Sequence, residues 1–211
     1  MRKVLFSAVT LIAIAGCLLG LTGCAGTDRY VQIIEAVKIP EVFYIEYEIT
    51  GEDGTVTTLA KGTDPNGNIY YRNSDAEYVF AVDGKNYRTF RKADGEWTDT
   101  AETVNGHYID ELTKDFGKNA EKGRDQFLGS YKKSGESAFL DRNCDAYSLE
   151  LKIVNFTQSY ELIVDKDTGV CMSFYGTSAV NSKETQKTGF ECVSFRTEGL
   201  DFSSWLASDK Q

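Results

Sequence analysis

Five cysteines and one histidine are the residues of this 211-residue chain whose types could support covalent or metal chemistry. A serine or cysteine nucleophile needs a base within hydrogen-bond reach. The single histidine, His107, stands where a helix opens, a surface or capping place, and no G-x-S-x-G string accompanies it. No His and Cys residues fall at the spacing of a zinc site. The stretch "DKDTG", Asp165 to Gly169, carries three candidate oxygen ligands, but a calcium loop begun at Asp165 would place Gly169 and Gly176 where an oxygen donor and the closing glutamate belong. It reads instead as a hairpin turn in which Gly169 takes a positive φ. These residues therefore predict no catalytic, cofactor or metal site, and the chain is expected not to be an enzyme. Cys144, Cys171 and Cys192 sit in alternating apolar runs, so buried free thiols are one expectation. A disulfide between Cys171 and Cys192, on consecutive predicted strands, is the other, and it leaves an odd thiol over.

Cys24 is different, because it ends an apolar run. Arg2 and Lys3 precede an uncharged stretch from Val4 to Leu21, the layout of a secretion signal. The run then closes on Leu21, Thr22, Gly23 and Cys24. This string resembles the lipobox of bacterial lipoprotein signal peptides. The resemblance implies that the Cys24 thiol receives a diacylglycerol and that cleavage makes Cys24 the new N-terminus. A looser match ends at Cys17, but cutting there would leave the apolar "LLGL" on the mature chain, whereas cutting at Cys24 leaves the polar "AGTDR". An uncleaved anchor would need to span roughly 30 Å of hydrocarbon. Val4 to Gly23 is just long enough, yet it carries Ser7, Thr10, Thr22 and three glycines. Two or more acyl chains hold a protein on a membrane stably, so the expected location is the extracytoplasmic face of the cell membrane.

Charge narrows the partners. The chain carries 32 acidic and 23 basic residues, a net of −9. Without Arg2 and Lys3 the balance is 32 against 21, or −11. Nucleic acid demands a positive footprint, so it is excluded as a partner. The expected organisation is a signal peptide over 1–23, a short tether over 24–29 and a single β-rich domain over 30–211, long enough for one sizeable core.

Periodicity sets the elements that carry these residues. Asp28 caps a predicted N-terminal helix, "RYVQIIEAVKI", whose Tyr30, Ile33, Ile34 and Val37 recur at helical spacing before Pro40 ends it. In "VFYIEYEIT" Phe43, Ile45, Tyr47 and Ile49 alternate with wetter neighbours, the mark of a half-buried strand. Further strands follow in "TVTTLAKGT", "IYYRN" after the turn "DPNGN", and "EYVFAVDGKNYRTFRKADGEWTDT", where "VDGKNY" is a hairpin signal. Residues 107–133 lose the twofold alternation and place Ile109, Leu112 and Phe116 at helical intervals, which predicts one or two central helices. From about Ala138 strands return, with Tyr147, Leu149, Leu151 and Ile153 on one face, and the tail "GLDFSSWLASDK" forms a last helical turn or an edge segment. Loops this short join antiparallel neighbours, so the class is α+β, mainly antiparallel β.

The opening helix followed at once by "FYIEYEIT", then "GNIYYRN", "VFAVDGKNYRTFRKADGEW" and "YELIVDKDTGVCMSF", resembles the LolA, LolB and LppX-like envelope lipoproteins and carriers. The resemblance implies a strongly curved sheet, an unclosed half-barrel with helices packed on it, and a lipid or other hydrophobic small molecule held in its hollow. Candidate lining residues are Phe43, Ile45, Tyr47, Tyr78, Phe80, Leu149, Leu151 and Leu162. The alternative expectation is an envelope interaction, sensor or assembly lipoprotein with a filled core, whose acidic surface meets a protein partner.

Overall fold

The computed structural model describes residues 40–112, 131–181, 183–184 and 187–207. The expected signal peptide, Cys17, Cys24, the N-terminal helix and Phe116 lie outside the described residues. Alternation becomes strands where it was strongest: β1 is Phe43–Thr50, β2 Val56–Thr63, β3 Ile69–Arg72, β4 Glu77–Asp83, β5 Asn86–Ala93 and β6 Glu96–Val104. A short helix, α1 (Gly106–Leu112), follows, begun by Asn105, whose side chain accepts from the Tyr108 N–H at 2.9 Å. The second run comprises β7 (Lys132–Phe139), β8 (Arg142–Ile153), β9 (Phe156–Asp165), β10 (Cys171–Val180), the two-residue β11 (Lys183–Glu184) and β12 (Thr188–Arg196). The helix α2 (Phe202–Ala207) comes last. No helix among the described residues is long and apolar enough to cross a membrane.

Tight turns set the local register. Asp83 pairs with Asn86 around Gly84 at φ 63°, and Ala93 pairs with Glu96 around Asp94 and Gly95 at φ 53° and 91°. Positive φ at the loop residues matches the twist of the flanking strands. Every ladder is antiparallel, and the strands run in the order β6, β5, β4, β3, β2, β1, β12, β10, β9, β8, β7, with β11 on β10. Two meanders are thus joined where the first strand meets the last. The sheet is unclosed: β6 and β7 are its edges, and they are consecutive strands, so the segment that carries α1 runs from one edge to the other.

One apolar cluster joins Leu59, Tyr71 and Phe80 of one arm to Cys144 and Leu162 of the other, with Ile109 of α1 and Tyr131 among them. The cluster runs continuously across both arms on the inner face of an unclosed half-barrel. Bulges keep the curl in register with the sequence. Between Glu46 and Tyr47 the β1 to β12 register skips Val193, so Ile45 faces Phe195, Tyr47 faces Cys192 and Ile49 faces Phe190, all towards this cluster. Val193, the skipped residue, is exposed.

The other face of the first meander has its own cover. Tyr44, Ala60, Tyr70 and Val79 pack with Leu200 and Phe202, and Trp205 of α2 lies 5.1 Å from the Tyr70 ring. Gly62 makes room for it, since a Cβ there would sit 2.7 Å from Phe202 Cζ. Asp64 pins the arrangement: its carboxylate, 1% exposed, accepts from Asn66 N at 2.9 Å, Asn68 N at 3.0 Å, Asn68 Nδ2 at 2.9 Å and Phe202 N at 3.0 Å. One side chain therefore closes the "DPNGN" turn and anchors the start of α2.

One expectation needs correction. Lys132 and Lys133, at the end of the stretch expected to be helical, open β7, which pairs with β8 through a hairpin whose Leu140 and Asp141 take φ 46° and 58°. Helical spacing gives way there because Tyr131 is buried in the core and small, polar residues suffice for an edge strand. The tail takes the first of its two expected forms, a short helix laid on the sheet face, because Phe202 and Trp205 pack against Tyr70.

Candidate functional site

The inner face of the half-barrel gathers most of the expected lining. Phe43, Ile45, Tyr47, Phe80 and Leu162 are buried in one cluster, and Tyr78 and Leu149 pack against it half-buried. Leu151 stands apart, 43% exposed and outside both clusters, near the tip of the β8 to β9 hairpin. The inner face carries an aromatic row that crosses four strands: Tyr47 meets Phe190 edge-on at 5.3 Å, Phe190 stacks on Phe174 at 5.8 Å, and Phe174 stacks on Tyr160 at 5.7 Å. Tyr131 closes the row at 6.5 Å from Tyr160. Offset and edge-on pairs of this kind add about 0.5–1.5 kcal/mol each beyond their buried area. Tyr47 also donates its hydroxyl to the Cys171 carbonyl at 3.1 Å, which satisfies a polar group under the row.

The three thiols line the same interior. Cys144, Cys171 and Cys192 are buried and free, so the candidate Cys171 to Cys192 bridge stands here as two thiols. Each Sγ reaches a carbonyl of its own strand: Cys171 to Ser173 O at 3.4 Å, Cys192 to Ser194 O at 3.3 Å and Cys144 to Arg142 O at 3.6 Å. Burial pushes the Cys192 thiol up to about 12 and raises those of Cys171 and Cys144. Thiols held protonated in this way are inert as nucleophiles.

"DKDTG" is a turn. Gly169 has φ 69° and donates its N–H to Asp165 O at 2.8 Å. Asp165 is fully buried and receives Arg142 in bidentate fashion, Nε to Oδ1 and Nη2 to Oδ2, both at 3.0 Å, with Thr168 N at 2.9 Å. Burial alone would raise its carboxyl, but the donors of Arg142 and Thr168 outweigh it and hold the group below its usual range. Arg142 also lies over the Phe195 ring at 4.8 Å, joining this turn to β12. His107 is exposed on α1.

Two solved structures are similar in outline. LprF from Mycobacterium bovis matches at 9% identity over 83% of this chain and 94% of its own, with a TM-score of 0.37. A LolA superfamily protein from Nitrosomonas europaea matches at 10% identity over 85% and 96%, with a TM-score of 0.27. No family model matches the chain, and no curated protein does. At such identities and scores no residue's role passes from these proteins to this chain.

Several inner-face residues escape a reading by alternation alone. Tyr71, Met172, Phe174 and Phe190 are buried there, the last two in the aromatic row, and Ile109 and Tyr131 come from the connecting segment. Thr89 of β5 is the one with chemical consequence. It is 4% exposed, and its Oγ1 has no hydrogen-bond partner among the described residues. Leaving a buried hydroxyl unpaired costs about 1–3 kcal/mol. The signal in the sequence was a single Thr at an inward position between Tyr87 and Arg91, which β-branched propensity explains equally well.

Proposed function

We propose that this protein is a lipid-anchored, extracytoplasmic binding protein that shelters an acyl chain or a similar apolar molecule against the inner face of its half-barrel. The observation that carries the reading is an apolar wall on an unclosed sheet. From the buried centre it continues outward through half-buried Tyr78, Tyr87 and Leu149 towards the edges β6 and β7. Ligand sites are concave and mostly apolar, which suits the inner face of an unclosed sheet to an apolar guest. Cys24 supplies the anchor and the membrane supplies the guest. In this reading the protein acts by binding, and the buried carboxylates among the described residues, Asp64 and Asp165, are committed to turns. A second reading, an interaction lipoprotein with a filled core, is favoured by the aromatic row.

Every described element lies beyond residue 39, so a domain from Ala25 to Gln211 retains the whole sheet. Native mass spectrometry of that domain, purified gently and then extracted with organic solvent, decides between the two. A stoichiometric lipid that leaves on extraction supports the carrier. A clean apo mass with no uptake of offered lipid supports the filled core. For the anchor, Cys24→Ala should abolish labelling by a fatty-acid probe and release the domain from membranes; unchanged labelling refutes attachment at Cys24.

A further inference from the structure

We propose that the β5 flank of the inner face is a polar subsite for an anionic ester lipid: Thr89 donates its hydroxyl to the ester carbonyl and Arg91 meets the phosphate, while the chain runs along the stacked Tyr78 and Phe80 rings. This rests on the binding reading above.

Three observations converge on the strand. Thr89 pairs with Phe80 across the β4 to β5 ladder, so both project to the inner face, and there the Thr89 hydroxyl is buried without a partner among the described residues. Native interiors leave few such groups. A hydroxyl both donates and accepts, and it suits a carbonyl brought in by a guest. Arg91, two residues on, shares that face opposite Tyr78 and is exposed. The other cations of β5 are engaged: Arg88 pairs with Asp99, and Lys92 pairs with Glu77 at 3.4 Å over the Trp97 ring. Arg91 has no ion pair among the described residues. A guanidinium at the rim is the group suited to a phosphate.

The edge strand is irregular at the same level. Arg88 pairs with Thr103 and Phe90 with Asp99, so Thr100, Ala101 and Glu102 all oppose Thr89 alone, with Ala101 at φ 59°. An edge bulge of this kind bends the strand and interrupts pairing. Here Thr100 Oγ1 donates to Thr89 O at 3.0 Å, so a side chain replaces ladder bonds beside the unpaired hydroxyl. Alternate strand residues stand about 6.5–7 Å apart, a span suited to the ester and phosphate of one glycerol unit.

The test uses the Ala25 to Gln211 domain and three probes: neutral phenylnaphthylamine as an apolar reporter, palmitoyl lysophosphatidylglycerol as its competitor, and glycerol 3-phosphate as a head without a chain. Thr89→Val should leave reporter affinity unchanged and weaken the lysolipid about tenfold, the loss of one hydrogen bond, while thermal stability of the empty domain holds or rises. Thr89→Ser should bind as the parent does. Arg91→Gln, at an exposed position, should weaken the lysolipid and abolish its salt dependence. Lysolipid affinities unchanged in both Thr89→Val and Arg91→Gln, with the reporter still bound, would overturn the subsite and leave the binding reading standing. Displacement by glycerol 3-phosphate as effective as by the lysolipid would mean a free-anion site and overturn it too. A parent domain that takes up neither reporter nor lysolipid would sink the binding reading itself.

Discussion

Asp64→Asn changes one atom type at the centre of the β2 to β3 turn. Oδ1 accepts from Asn66 N and Asn68 N, and Oδ2 from Asn68 Nδ2 and Phe202 N, at 2.9–3.0 Å. Asparagine keeps the shape but must point its own NH2 at one of those pairs. Either way two N–H groups lose their acceptor and face another donor. Each such loss at a buried site costs about 1–3 kcal/mol, so about 3–5 kcal/mol is expected. That is a large share of the about 5–15 kcal/mol that holds an ordinary domain together. Asn68 extends the effect, since its Oδ1 accepts from Val82 N at 2.9 Å and so ties the turn to β4. The assay is urea unfolding of the Ala25 to Gln211 domain, with Trp205 fluorescence as the reporter of α2 against Tyr70 and far-ultraviolet circular dichroism as the reporter of the sheet. Asp64→Asn should move both midpoints, and the melting temperature should fall by about 10 °C. Asp201→Ala is the control: its exposed carboxylate caps α2 through Ser204 N at 3.2 Å, and losing a cap costs about 1 kcal/mol. A loss below about 1 kcal/mol for Asp64→Asn would show that the turn and helix dock without the carboxylate, and the reasoning would fail.

Two further outcomes follow from the buried groups. Asp165 is held below the usual carboxyl range, so the folded state binds that proton less readily than the unfolded chain. Its contribution is present above about pH 4 and is lost as pH falls through the lowered value. Urea midpoints should fall with acid, and Arg142→Met, which strands the carboxylate, should cost about 3–5 kcal/mol at neutral pH; a midpoint indifferent to that substitution would refute the pairing. The thiols run the other way. Their folded values are raised, so the stability they contribute is complete below about pH 8.5 and is lost as pH rises towards the folded values. A thiol reagent should find three groups in the unfolded, unreduced domain and react slowly with the folded one; a count of one would restore the disulfide.

Legibility followed locality. The hairpins from β1 to β5 could be read because alternating residues and a turn residue lie within a dozen positions of each other, as in "VDGKNY" and "DKDTG". The edge strand β7 could not, since "KKSGESAF" has neither an apolar period nor a standard turn beside it. Candidate lining residues on central strands went to the core as alternation requires, whereas Leu151 shares that parity and lies exposed, because parity names a face and not how far along the strand its cover extends.

What the sequence by itself determined is what depends on neighbours along the chain: the antiparallel β class, most hairpins and the inward parity of Phe43, Ile45 and Tyr47. What only the tertiary structure decided depends on residues far apart in sequence. The joint of β1 with β12, the bulge that turns Val193 outward, the docking of Phe202 on Gly62 through Asp64, and the solitude of the Thr89 hydroxyl all belong here. The physical reason is that pairing, bulging and polar satisfaction between distant segments are chosen by the free energy of the whole packed sheet, to which no local pattern has access.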